Sequence, residues 1–156
     1  FIPVASTKTM AISGFLILTI AMTESAISRH EPSKTIFPVE AVNFAQAHGI
    51  AGPVFNSYEF GGYLISRKIP VFIDGRADLY DHSLLGPYLK VAQEDSMATL
   101  ASLLEQYQIS WALIQANSTT KQFFNNDKHW EKLYEDAVAI IYVKSSLIPE
   151  SVISKK

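Results

Sequence analysis

The chain opens on one unbroken apolar stretch and then alternates between helical and strand-like periods. From Thr9 to Thr23 no side chain is charged, with Lys8 before and Glu24 after. Fifteen helical residues cover about 22 Å against a hydrocarbon core of about 30 Å, so a crossing must draw on the polar Ser/Thr flanks. The segment is apolar nearly all round, unlike a surface helix with one polar face. A membrane helix over residues 1–23 is therefore the expectation, with a secretory signal ending near "TESA" as the alternative. Residues 24–37 are polar, contain a proline and read as a linker.

Beyond the linker the pattern predicts a domain over residues 38–146, followed by a tail over 147–156. Pro38 suits a first helical turn, Val39, Val42, Phe44 and Ala45 share one face, and His48-Gly49 supplies a stop, which predicts a helix over residues 38–48. Residues 52–56, 69–74 and 110–115 are short continuous apolar runs bounded by turn residues, and read as buried strands. "SLLGPYLKVAQ" predicts a helix broken at Gly-Pro. Met97, Leu100, Leu103, Leu104 and Tyr107 recur at helical spacing within residues 96–109. A helix capped by Ser118 or Thr119 follows, then "EKLYED" and "AVAIIYVK" as an antiparallel pair turned at Glu135-Asp136. The fold class expected is α/β: a small, mostly parallel sheet with helices on both faces, closed by a C-terminal antiparallel strand pair and preceded by one transmembrane helix.

Composition narrows the chemistry. The 156 residues carry a net charge of -2 with no block of like charge, which leaves no electrostatic footprint for nucleic acid. The absence of cysteine removes disulfides, thiolate catalysis and zinc fingers together. The four histidines are isolated, and no phosphate loop, dinucleotide fingerprint or hydrolase elbow is present, so no cofactor and no metal are expected and no catalytic residue is assigned.

The chemistry-bearing residues concentrate in "VFNSYEFGGYLISRKIPVFIDGRADLYD". Asn56 and Asp74 each end an expected strand, where ligands bind in open α/β sheets. With Arg76 as a planar two-point donor they would face one crevice and hold a hydroxylated or phosphorylated ligand. The competing reading is structural, with Asp74 pairing Arg76 or capping a turn. Gly61 and Gly62 are costly within a helix and imply close backbone approach, to another element or to a ligand. Ser57 is placed to cap that helix. Tyr58, Phe60, Tyr63 and Tyr80 either stack on a sugar or lipid head or pack the core. The candidate ligand-binding set is Asn56, Tyr58, Glu59, Gly61, Gly62, Asp74, Arg76 and Asp78.

"FNSYEFGGYLI", "VFIDGRADLY", "WALI" and the late "WEKLYEDAVAIIYVK", in that order, resemble the C-terminal soluble region of uncharacterised multi-pass bacterial membrane proteins related to the GT-C type glycosyltransferases, which use lipid-linked sugars. The resemblance covers residues 38–144. Its Tyr-Glu-Phe-Gly-Gly-Tyr run is also similar to the W-W-D-Y-G stretch of oligosaccharyltransferase catalytic subunits, which helps recognise the acceptor. Tyr58, Glu59 and Gly61 are the matching positions, and both tryptophans are missing here. The resemblance implies the last membrane helix of a longer inner-membrane protein, as does the start at Phe1, plus an extracytoplasmic domain that does not turn over substrate alone. Its implied partners are membrane lipid and, through the parent protein, a polyprenyl-linked sugar or its acceptor. A non-catalytic structural or interaction domain is the alternative.

Overall fold

A computed structural model describes residues 32–153, and the expected membrane helix over residues 1–23 lies outside them. Among the described residues no helix is long and apolar enough to cross a membrane. Helix α1 (Val39–Ala47) starts directly after Pro38 and ends in a left-handed Gly49, φ +70°. That conformation lets Ile50 N–H donate back to Ala45 O at 2.9 Å, as the sequence predicted from a glycine at this position. Strand β1 (Val54–Asn56) follows, then a 3-10 turn over Tyr58–Phe60 that runs into α2 (Gly61–Ser66). A second 3-10 turn (Ala77–Leu79) leads to α3 (His82–Glu94) and α4 (Met97–Gln106). Strand β2 (Trp111–Gln115), α5 (Lys121–Asn126), β3 (Trp130–Glu135) and β4 (Ala139–Lys144) complete the domain, with a short α6 (Glu150–Ile153) near the end.

The four strands form one sheet in the order β1-β2-β4-β3. Only β1 and β2 run parallel; β2–β4 and β4–β3 are antiparallel. The α/β class and the closing antiparallel pair hold, but the sheet is mixed rather than mostly parallel. The difference comes from residues 69–74, which form no strand. Lys68 turns the chain with φ +59°, and Pro70 lacks the N–H a ladder would need. Phe72 and Ile73 are neighbours yet both enter the same core cluster, where a strand would send them to opposite faces.

Alternation along the strands divides the core into two layers. Val54, Trp111, Leu113, Ala139, Ile141 and Val143 pack with Ala41, Val42 and Ala45 of α1 and with Tyr63 and Leu64 of α2. Phe55, Ala112, Ile114, Ile140 and Tyr142 face the other way, against Tyr88 and Val91 of α3, Leu100, Leu103 and Leu104 of α4 and Phe124 of α5. Helices thus cover both faces.

The expected break in "SLLGPYLKVAQ" is absent, because α3 continues through Pro87. Its start is fixed by Asp81, whose Oδ1 accepts from Ser83 N and Leu84 N at 3.1 Å each and from Ser83 Oγ at 2.6 Å. Burial of Tyr88 and Val91 just beyond the proline supplies the packing that offsets one missing backbone bond.

Candidate functional site

The two notable motifs of the sequence meet through the Asn56 side chain and the close backbone approach at Gly61. Asn56 is wholly buried, and its carboxamide holds the segment that fails to become a strand. Its Oδ1 accepts from Phe72 N at 2.8 Å and Ile73 N at 3.4 Å; its Nδ2 donates to Ile73 O at 2.8 Å and Ser57 O at 2.9 Å. The side chain therefore makes the bonds a neighbouring strand would make, and its hydrogen-bonding capacity is used up within the protein. Gly61 sits against the same segment: a Cβ there would meet Ile73 O at 2.3 Å and Asp74 Cβ at 2.5 Å. Of the two readings open for the glycines, Gly61 follows the approach to another element. Gly62 has open space where its Cβ would be.

Asp74 is 1% exposed and closes the Asp-Gly-Arg element on itself. Its Oδ1 accepts from Arg76 N at 2.8 Å and Arg76 Nε at 2.9 Å, and its Oδ2 accepts from Arg76 Nη2 and the Tyr80 hydroxyl, each at 2.7 Å. The Arg76 hydrogen bonds hold the carboxyl far below the usual carboxylate range, with burial opposing and the Tyr80 hydroxyl adding. Arg76 is held above its usual range by the same bond, and Tyr80 is pushed up by burial and by Asp74. The Arg76 side chain is 61% exposed, as the outward end of a brace whose other end is buried. Asp78 is exposed on the following turn.

A cleft of about 620 Å³ opens elsewhere, where the carboxyl ends of the parallel strands β1 and β2 lie side by side. In an open sheet this is the expected place for a ligand, and the volume lies within the range of small-molecule sites. Of the eight candidate residues, only Tyr58 and Glu59 line it. The mouth of β1 supplies these two and Ser57; α3 supplies Leu85, Tyr88, Leu89 and Gln93; the end of β2 supplies Gln115 and Asn117.

Two hydrogen bonds hold the cleft open at its base. Ser57 Oγ accepts from Gln115 N at 3.0 Å, joining the strand ends just past the ladder, so this hydroxyl is occupied there rather than capping its own turn. Tyr88 Oη accepts from Tyr58 N at 2.9 Å, tying α3 to the 3-10 turn. Burial pushes the Tyr88 hydroxyl well above its ordinary range, with the negative charge of Glu59 adding to the effect, so it stays a proton donor at any physiological pH. The side chains of Tyr58, Glu59, Gln93, Gln115 and Asn117 make no hydrogen bond or ion pair with any described residue. Among the described residues the lining contains no lysine, arginine or histidine.

Tyr58 and Glu59 line the cleft from within the sequence motif, whereas Tyr88, Gln93 and Gln115 come from α3 and the end of β2. The strand-end rule pointed to the ends of β1 and of residues 69–74, whereas the parallel pair in the structure is β1 with β2. With residues 69–74 outside the sheet, β2 is the parallel neighbour of β1, and its polar exit "QANSTT" forms the opposite wall. Among the described residues no group of three or more His, Asp or Glu stands together as a metal site. No family model, curated protein or solved structure matches the chain.

Proposed function

We propose that this chain is the C-terminal, membrane-anchored extracytoplasmic part of a glycosyltransferase-like protein of the bacterial inner membrane, and that its α/β domain holds or gates the acceptor without catalysing transfer. The anchor and the family rest on the resemblance of residues 38–144 and on the apolar stretch from Thr9 to Thr23. The acceptor-holding role rests on one observation: a cleft at the ends of two parallel strands whose lining sets amide and hydroxyl groups, tyrosine and one carboxylate among apolar side chains such as Phe55, Leu85 and Leu89, with no cation among the described residues. Such a lining suits a neutral hydroxylated ligand. It does not suit a phosphate, which would meet Glu59 with nothing to balance it. In this reading a polyprenyl-phosphate carrier is bound by the parent protein elsewhere, and nucleic acid is not a partner.

A second reading, a structural or interaction module, is favoured by the self-contained Asp74–Arg76–Tyr80 brace. The two separate on a carbohydrate array probed with the full chain. Retention on uncharged glycans, with weaker retention on phosphorylated ones, supports the acceptor role, and no retention on any glycan favours the module. Location is tested separately by a lone cysteine at the exposed Ser146 in this cysteine-free chain. Ser146→Cys in intact cells reacts with a membrane-impermeant maleimide if the domain is extracytoplasmic, and only after lysis if it is not.

A further inference from the structure

Within the cleft, two groups have complementary needs. Tyr88 is 6% exposed, and its oxygen is already used as the acceptor for Tyr58 N, leaving its proton without a partner among the described residues. Glu59, on the turn that begins at Tyr58, presents an exposed carboxylate that accepts no bond from any described residue. The Tyr58 N to Tyr88 Oη bond brings the phenol to the start of this turn, and both side chains line the same cleft.

A ligand at this point must accept a hydrogen bond from Tyr88 and donate one to Glu59. A cation donates only and would leave the buried Tyr88 proton unanswered; an anion accepts only and would be repelled by Glu59. A hydroxyl group does both through one oxygen. Building on the acceptor-holding reading above, we infer that Glu59 and Tyr88 together read a single hydroxyl of an uncharged sugar, with Tyr58 as the neighbouring aromatic surface. These are binding residues, and transfer chemistry is not assigned to them.

The test uses the full chain and defined probes: methyl α-mannopyranoside and methyl α-glucopyranoside as neutral sugars, mannose 1-phosphate as the anion, and methyl 2-amino-2-deoxyglucoside as the cation. Affinities are read by NMR titration for the parent chain, Glu59→Gln, Tyr88→Phe and the double variant. At least one neutral glycoside is expected to bind more tightly than either charged probe, and each single variant to weaken it about tenfold or more. Because both groups serve one hydroxyl, the double variant is expected to lose much less than the product of the two single losses. Unchanged affinity in both variants overturns the inference while leaving the acceptor reading intact, as do losses that multiply or a preference for the charged probes. Failure of every neutral glycoside to bind overturns both. Tyr88→Phe removes the acceptor for Tyr58 N, so if that variant does not fold, the exposed Glu59→Gln substitution decides alone.

Discussion

Gly61 and Asp74 are in backbone-close contact: a methyl group on Gly61 would stand 2.5 Å from Asp74 Cβ and 2.6 Å from its Cα. This contact explains why Tyr-Glu-Phe-Gly-Gly-Tyr precedes Asp-Gly-Arg by the length of one short segment. The start of α2 seats directly on the chain at Ile73–Asp74, and only a residue without a side chain fits between them. Asn56 fixes the same segment from the end of β1. Together the two motifs form a scaffold that sets the direction of the 3-10 turn carrying Tyr58 and Glu59 into the cleft.

The adjacent glycines should behave in opposite ways. Gly61→Ala is expected to cost about 3 kcal/mol or more, since the obstructing atoms are the Ile73 carbonyl oxygen and the Asp74 Cα and Cβ, which cannot swing aside. Gly62→Ala, with open space around it in the same helix, is expected to stabilise by about 0.5–1 kcal/mol. Urea melts of both variants decide this, and similar effects at the two positions would refute the packing account.

Asn56→Asp keeps the shape but replaces two donors with acceptors, setting a buried carboxylate against Ile73 O and Ser57 O. A loss of about 3 kcal/mol or more is expected from the unmatched buried groups. In Asn56→Ala, which removes the acceptor as well, hydrogen exchange should rise first at Phe72 and Ile73, whose amides both lie on Asn56 Oδ1. Unaltered protection at those two amides would show that the carboxamide does not hold the segment.

Asp74 links this scaffold to pH. Its carboxyl is held low in the folded state, so the stability it contributes is complete above its unfolded value of about 3.9 and is lost as pH falls below that toward the folded value. Asp74→Asn is expected to cost about 1–3 kcal/mol at neutral pH, and the difference from the parent should shrink steadily below about pH 4. Arg76→Ala should cost less than Asp74→Asn, because the guanidinium is largely solvated and the Tyr80 hydroxyl and residue 76 amide still reach Asp74. Chemical denaturation across pH checks both, and a parent–variant gap that widens in acid would contradict the assignment.

Much of the fold was legible because local signals and tertiary packing agree. Gly49 closes α1, Leu100, Leu103 and Leu104 form the buried stripe of α4, and Asp136 turns the last hairpin by accepting from Val138 N and Ala139 N. Residues 69–74 were misread because an apolar run before Asp-Gly has the composition of a buried strand. What removes it from the sheet is a side chain thirteen or more residues earlier, Asn56, whose amide substitutes for a strand partner. Residues 82–94 were misread in the other sense: Gly86-Pro87 signals a break, and burial of Tyr88 and Val91 overrides it. The candidate site was half legible. Tyr58 and Glu59 stand in the motif itself, while Tyr88, Gln93 and Gln115 reach the cleft only through the pairing of β1 with β2.

On the proposed reading, the ligand face of the domain is this cleft and the Asp-Gly-Arg element supports it from outside. Chemical-shift mapping of the full chain with a neutral glycoside separates the two surfaces. Perturbed amides are expected only at Ser57–Phe60, the cleft-facing turn of α3 around Tyr88, and Gln115–Thr120, with Asp74–Asp78 unmoved. Perturbations centred on Asp74, Arg76 and Asp78, with the cleft unchanged, would contradict it.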